Sequence, residues 1–194
     1  MENHGKKLNA AVCERCGGEL ATRTVSDFEH AAIGLPGVVL RNAVEEIYCV
    51  RCGTVDSVHF PNVDGLTAAI AVARVKQNTK LAGADIRFLR KALGRNQQEL
   101  AALLGVRNET VSRWESSHQP IEPATEKLLR ALVAVELSDR APGIEVDFKE
   151  LLETPVPAIR KDPRPVPLVL ETTRVVKKEN HRRRSIAAWA AVPT

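Results

Sequence analysis

Cys13-Glu14-Arg15-Cys16-Gly17 and Cys49-Val50-Arg51-Cys52-Gly53 are two copies of one short pattern, and together they hold all 4 cysteines of the 194-residue chain. Each is a C-x-x-C knuckle with a glycine directly behind it. Two knuckles supply four thiolates, enough for a tetrahedral Zn²⁺ with no open coordination position. A closed site orders a fold and leaves no place for a substrate. Two disulfides, a redox dithiol or an iron–sulfur cluster accept the same residue type. Residues 1–11 are polar and contain no apolar signal region, so a reducing cytoplasm is expected and structural disulfides are disfavoured there. A redox dithiol expects a βαβ setting and uses a single pair. The pattern predicts one structural Zn²⁺ per chain, held by Cys13, Cys16, Cys49 and Cys52, with an iron–sulfur cluster as the alternative for the same four ligands.

Reading outward, residues 1–12 are expected to be a disordered leader, and residues 13–60 a small β-hairpin, zinc-ribbon-like module. Glu19 to Val25 and Val38 to Tyr48 are rich in β-branched residues, with Leu35-Pro36-Gly37 as the turn signal between them. The second segment runs into the second knuckle, as a hairpin that brings the two knuckles together requires. Asp64 is read as the cap of a connecting helix over 64–82, with Leu66, Ile70 and Ala73 at helical spacing and Gly83 as its end.

Residues 84–138 form a denser helical pattern. Ile86, Leu89 and Leu93 make one apolar stripe, and Gly94 stops it. Asn96 and Glu99 have the spacing of a capping box for a second helix, ended by Gly105. A third helix opens at Arg107 or Asn108 and turns Val111 and Trp114 inward. A fourth starts at Pro123 and carries Leu128, Leu129, Leu132, Val133 and Val135 as a broad apolar face. Pro155, Pro157, Pro163, Pro165 and Pro167, followed by Arg174, Lys177, Lys178, Arg182, Arg183 and Arg184, read as a mostly disordered tail over 139–194. The net charge of +4 and pI near 9.0 suit a polyanion partner, and the basic tail is expected to touch phosphates without reading sequence. No apolar stretch approaches the ~20 residues of a membrane span.

Gln98-Glu99-Leu100-Ala101-x-x-Leu104-Gly105-Val106, followed by Thr110-Val111-Ser112-Arg113-Trp114-Glu115, resembles the XRE (Cro/CI-like) helix-turn-helix. Such a pair of short helices lays the second in the major groove of DNA. Asn108, Glu109, Ser112 and Arg113 then face the bases. Arg113 can pair bidentately with guanine, Asn108 with adenine, and Glu109 can accept from cytosine N4. The resemblance implies a phosphate contact for Gln97 at a helix N-terminus, and an Arg90–Glu115 ion pair tying the first helix to the end of the reading helix. Arg107 is either a phosphate contact or a solvated side chain.

A two-knuckle zinc module, a connecting helix and an XRE domain ending in Ser112-Arg113-Trp114-Glu115 together resemble the MqsA/YgiT-type antitoxin family over residues 13–137; Glu46-Ile-Tyr-Cys-Val-Arg-Cys52 fits its second knuckle. The resemblance implies a structural zinc domain that binds an mRNA-cleaving toxin, and a DNA-binding domain that dimerises and represses its own operon. It implies an asparagine and an arginine, four residues apart, as operator readers. Arg113 matches the arginine, but Glu109 stands at the asparagine position, so a different operator is expected. The tail after residue 138 has no counterpart in the short members of the family. The expected function is a dimeric, autoregulatory, sequence-specific DNA-binding repressor acting on a double-stranded operator; the alternative is an interaction module whose zinc domain masks a toxin. No Ser/His/Asp or paired-carboxylate constellation suggests an enzyme.

Overall fold

The computed structural model describes residues 7–29, 34–157, 166–179 and 182–192. The elements, in order, are β1 (Lys7–Val12), β2 (Glu19–Glu29), β3 (Val38–Cys49), β4 (Val55–His59), α1 (Val63–Lys76), α2 (Gly83–Ala92), α3 (Gln97–Leu104), α4 (Asn108–Glu115), α5 (Pro123–Leu137), a 3-10 turn at Ser138–Arg140, α6 (Phe148–Glu153), β5 (Leu168–Glu179) and β6 (Arg182–Val192).

Strand β3 is the hub of a single sheet. Along one edge it pairs antiparallel with β2, from Leu20↔Cys49 to Glu29↔Val39. Its other edge is shared. Glu45 to Tyr48 pair antiparallel with β4, while Val38 to Arg41 pair parallel with Leu168 to Glu171 of β5. Strand β6 adds to β5, and β1 to the far side of β2. The β2–β3 hairpin was legible from its β-branched runs. The other four strands were not. In the expected leader, Lys7–Val12 forms a strand, and residues 1–6 lie outside the described set.

The expectation of a disordered tail over 139–194 is corrected by α6 and by the β5–β6 hairpin. The prolines do break helices, but Pro155 and Pro157 follow α6 and Pro167 immediately precedes β5, so they punctuate folded elements. Pro163 and Pro165 fall outside the described residues. Strand β5 finds its partner more than a hundred residues earlier in the chain, and such a pairing leaves no local periodicity to read.

Helix α1 is more than a connector. Ten of its residues are buried, from Gly65 and Leu66 to Val75, on every side of the helix. A helix apolar all round belongs in a core. One continuous cluster runs from Val38, Leu40 and Val44 of β3 through Leu66, Ile70 and Val72 to Leu89, Leu100, Trp114, Leu129, Leu170 and Trp189. The sheet and the helices therefore share a core across the expected boundaries at 60 and 84. The N-cap of α1 is Asn62, not Asp64. Asn62 sits in the left-handed region at φ 46°, and its side-chain oxygen accepts from the Gly65 amide at 3.2 Å. Its carbonyl accepts from Trp189 Nε1 at 3.1 Å, and its Nδ2 donates to the Ala187 carbonyl at 3.2 Å. The start of α1 is thereby fastened to β6.

Trp189 is 1% exposed and bridges hairpin and helix. Trp189→Ala is expected to cost about 3–5 kcal/mol, the range for emptying a buried indole site. Chemical denaturation should show one cooperative transition moved to lower denaturant. Loss of hairpin signal alone, with the helical transition in place, would contradict a shared core.

Candidate metal centre and exposed helix face

The two knuckles fold alike because their sequences are alike. In the first, Cys13 N donates to the Gly18 carbonyl at 2.9 Å and Gly17 N to the Cys13 carbonyl at 2.8 Å. In the second, Cys49 N donates to Thr54 and Gly53 N to Cys49, both at 2.9 Å. The glycines stand at φ 67° and 70°, the left-handed region that closes each turn. Strand pairing then sets one knuckle over the other, with Leu20 opposite Cys49 and Val50 N donating to the Glu19 carbonyl at 3.0 Å.

The result is a cage. All four Sγ atoms lie within 4.8 Å of one another. Cys13 and Cys52 are 3.8 Å apart, and Cys16 and Cys49 3.4 Å. Tetrahedral coordination with metal–sulfur bonds of ~2.3 Å places its sulfurs about 3.8 Å apart, so the spacing suits one metal ion. The site is snug: a Cβ on Gly18 would stand 3.0 Å from Cys49 Sγ and 2.9 Å from Arg51 Cβ. The thiols do not ionise alike. A Gly18 hydrogen bond favours the Cys16 thiolate, but the neighbouring Cys49, Cys52 and Cys13 thiols and desolvation outweigh it, and Cys16 is pushed up to about 12. Hydrogen bonds from the Thr54 hydroxyl and amide bring Cys52 down to about 6. A bound cation needs every sulfur as thiolate, so metal uptake releases protons. Gly18 and Thr54 occupy the same place after their knuckles, a matched position that the sequence reading passed over.

The second cluster is built around Glu115, the last residue of α4. Its carboxylate accepts from Arg90 Nε at 2.5 Å and Nη2 at 3.2 Å, and from Gln97 Nε2 at 2.8 Å. Arg87, which sequence reasoning did not single out, approaches at 3.7 Å. These bonds tie α4 to α2 and to the first residue of α3. Asn96 caps α3 by accepting from Glu99 N, and Glu99 accepts from Asn96 N, the box read from their spacing. Beneath α4, Val111 and Trp114 are 0% and 1% exposed. Gly83 lets α2 begin against α4, because a Cβ there would meet the Trp114 carbonyl oxygen at 2.6 Å. With its inner face and C-terminal end held, α4 presents Asn108, Glu109, Ser112 and Arg113, all exposed, with exposed Arg107 at its N-cap. Gln97 differs from expectation in part. It is half-buried, and its amide is committed to Glu115, so it positions α4 whatever else it touches.

Cys49→Ser is expected to abolish stoichiometric metal binding, read by elemental analysis of the purified chain, and chelation of the parent protein should lower its melting temperature. One bound ion retained by the variant would overturn the four-sulfur assignment. Burial raises the Glu115 carboxyl, but Arg90, Gln97 and Arg87 outweigh it and hold the group below its ordinary 4.5. A depressed carboxyl contributes stability that is present above the unfolded value and is lost as pH falls through the folded one. Acid melts below about pH 4.5 should therefore show a loss of stability that Glu115→Gln flattens. Parallel pH profiles for the two proteins would contradict this.

Among the described residues, no helix is long and apolar enough to cross a membrane. No curated protein and no solved structure matches the chain in comparison. Residues 10–142 match the family described as the antitoxin component of a bacterial toxin-antitoxin system, MqsA. That segment takes in both knuckles, α1 and all of α2 to α5, and by it the chain belongs to the MqsA antitoxin family.

Proposed function

We propose that this antitoxin-family protein is a sequence-specific DNA-binding repressor of its own promoter, working in the cytoplasm. The observation that carries the reading is the exposed row Arg107, Asn108, Glu109, Ser112 and Arg113 on a helix whose opposite face and end are locked. Polar residues on a mobile helix can be idle. Polar residues on a helix clamped by a buried carboxylate, an indole and a close helix contact form a rigid reading surface. Helices α3 and α4 then act as a helix-turn-helix, with α4 in the major groove. Arg113 pairs with guanine, Asn108 with adenine and Glu109 with cytosine, while Gln97 and Arg107 meet phosphates.

The metal in the cage is read as one structural Zn²⁺, the ion that best fits four thiolates in a closed tetrahedron. It orders the β2–β3 end and performs no chemistry. The protein is read as a homodimer. Helix α5 buries Leu129, Val133 and Leu137, yet leaves Leu128 and Val135 at 48% and 66% exposure, with Leu132 half-buried between them. That stripe suits self-association and would set two reading helices about one helical turn, ~34 Å, apart on an inverted repeat. Family membership supports a second role, the masking of a cognate toxin protein, which coexists with repression.

Arg113→Ala is expected to weaken binding to the protein's own promoter fragment by about 1–3 kcal/mol and to relax base preference at one position. Gln97→Ala should weaken binding to all sequences alike. Titrations on promoter and random duplexes decide it: equal losses on both for Arg113→Ala remove the base-reading role.

A further inference from the structure

The β5–β6 hairpin is longer than the sheet that holds it. Its base lies in the core, where Leu168, Val169, Leu170, Ala188 and Trp189 are buried. Pairing of β5 with β3 stops at Arg41↔Glu171. Pairing of β5 with β6 continues from Thr172↔Trp189 to Glu179↔Arg182. The distal part is thus a two-stranded ribbon with no sheet neighbour among the described elements, and Arg174, Val176, Arg184 and Ser185 on it are exposed.

The register gives this ribbon an unusual charge distribution. Lys177 stands opposite Arg184, and Lys178 stands opposite Arg183 in the next pair. Arg182 faces Glu179, and Arg174 lies further back on β5. Like charges at directly opposed positions destabilise a strand pair, and an isolated two-stranded ribbon is already marginal. Two such pairs in succession make poor sense for the free ribbon. They become favourable when polyanionic charge lies along it. Three features fit duplex DNA. A two-stranded ribbon is of a size the major groove admits. Successive positions of a strand alternate faces, so the register puts the Lys177–Arg184 pair on one face of the ribbon and the Lys178–Arg183 pair on the other, and neither face lacks cations for phosphates. The same chain already presents α4.

We propose that the distal β5–β6 ribbon, centred on Lys177, Lys178, Arg183 and Arg184, is a second DNA-contacting element that grips the phosphate backbone of duplex DNA without reading its sequence. It lies outside residues 10–142, the part matched to the antitoxin family. The inference rests on the DNA-binding reading of α4, and its failure can be told apart from the failure of that reading.

The test uses the full chain and the fourfold variant Lys177→Thr, Lys178→Thr, Arg183→Thr and Arg184→Thr. Threonine keeps strand preference, and an unchanged circular dichroism melt confirms the fold. A second variant, Lys178→Thr with Arg183→Thr, serves if the first does not fold. Binding of a random-sequence duplex and of the promoter fragment is followed by fluorescence anisotropy across a salt series. The slope of log affinity against log salt is expected to become shallower by about 2–4 for the fourfold variant, and by 1–2 for the double variant, on both duplexes. The promoter-to-random ratio should stay within twofold. An unchanged slope overturns the proposal while leaving α4 as a reader. A shallower slope in a protein that never distinguishes promoter from random DNA sustains the ribbon and sinks the repressor reading. Substitution that spares DNA binding but abolishes binding to vesicles of anionic lipid also overturns it, in favour of a membrane surface.

Discussion

Helix α1 is buried along most of its length, Arg74 being its one buried charge, and the rest of the molecule is arranged to cover it. Its buried run from Gly65 to Val75 must be kept from water around the whole circumference. Helices α5 and α2, the Ser138–Arg140 turn and the β5–β6 hairpin all pack against it. The last of these explains why a chain punctuated by prolines returns to the sheet at all. Without Leu168, Leu170 and Trp189, part of α1 and the Val38 to Leu40 stretch of β3 would face solvent. The core cluster that joins them is the consequence.

Ending such a helix inside a core creates its own difficulty. The last carbonyls of α1 have no partner within the helix, and Val75, at 0% exposure, needs one from the protein. Arg130, from α5, resolves it. Its guanidinium donates to the carbonyls of Val75 at 2.6 Å and Gln77 at 2.9 Å, and to that of Thr79. A cation there also suits the negative end of the helix. Glu126, 0% exposed, balances Arg130 at 2.7 Å and Lys80 at 2.7 Å, and accepts from the Leu81 amide. Arg74 pairs through two 2.8 Å bonds with buried Asp85 at the start of α2. Buried pairs of this kind add little net stability, but removing one partner strands a charge. Their service is geometric. They fix the 77–82 segment, and with it the angle at which α2 leaves α1 and meets α4.

What the sequence showed plainly was whatever is local. The matched knuckles, the Asn96–Glu99 box, the inward Val111 and Trp114 and the β2–β3 hairpin each sit within a few residues of their signal, and each is found where expected. The Arg90–Glu115 bond spans 25 positions and was reachable only through family likeness. What stayed hidden is long-range. The Trp189–Asn62 bond spans 127 positions. Asp64 was read as the helix cap, yet Asn62 holds that place in the left-handed region, a backbone state that its sequence neighbours do not announce. The basic tail was read from its charge, which is real, but its register with β3 exists only once α1 needs covering.

Strand β3 is where the two ends of the molecule meet. At its C-terminal end, Cys49 and Leu20 form a small cluster with Cys13, separate from the main core. At its N-terminal end, Val38 and Leu40 lie inside that core and pair with β5. A metal ion held by the four sulfurs would order one half of the strand by coordination, while apolar burial orders the other. The cage end has only Cys13, Leu20 and Cys49 as its buried cluster, a small apolar contribution to holding that half of the strand pair. One strand shared by both means that disorder at the cage is transmitted to the edge on which the hairpin sits. The presentation of α4 is held from the opposite side, through Glu115, Gly83 and the α1–α2 angle, and so depends on the helical core rather than on the cage.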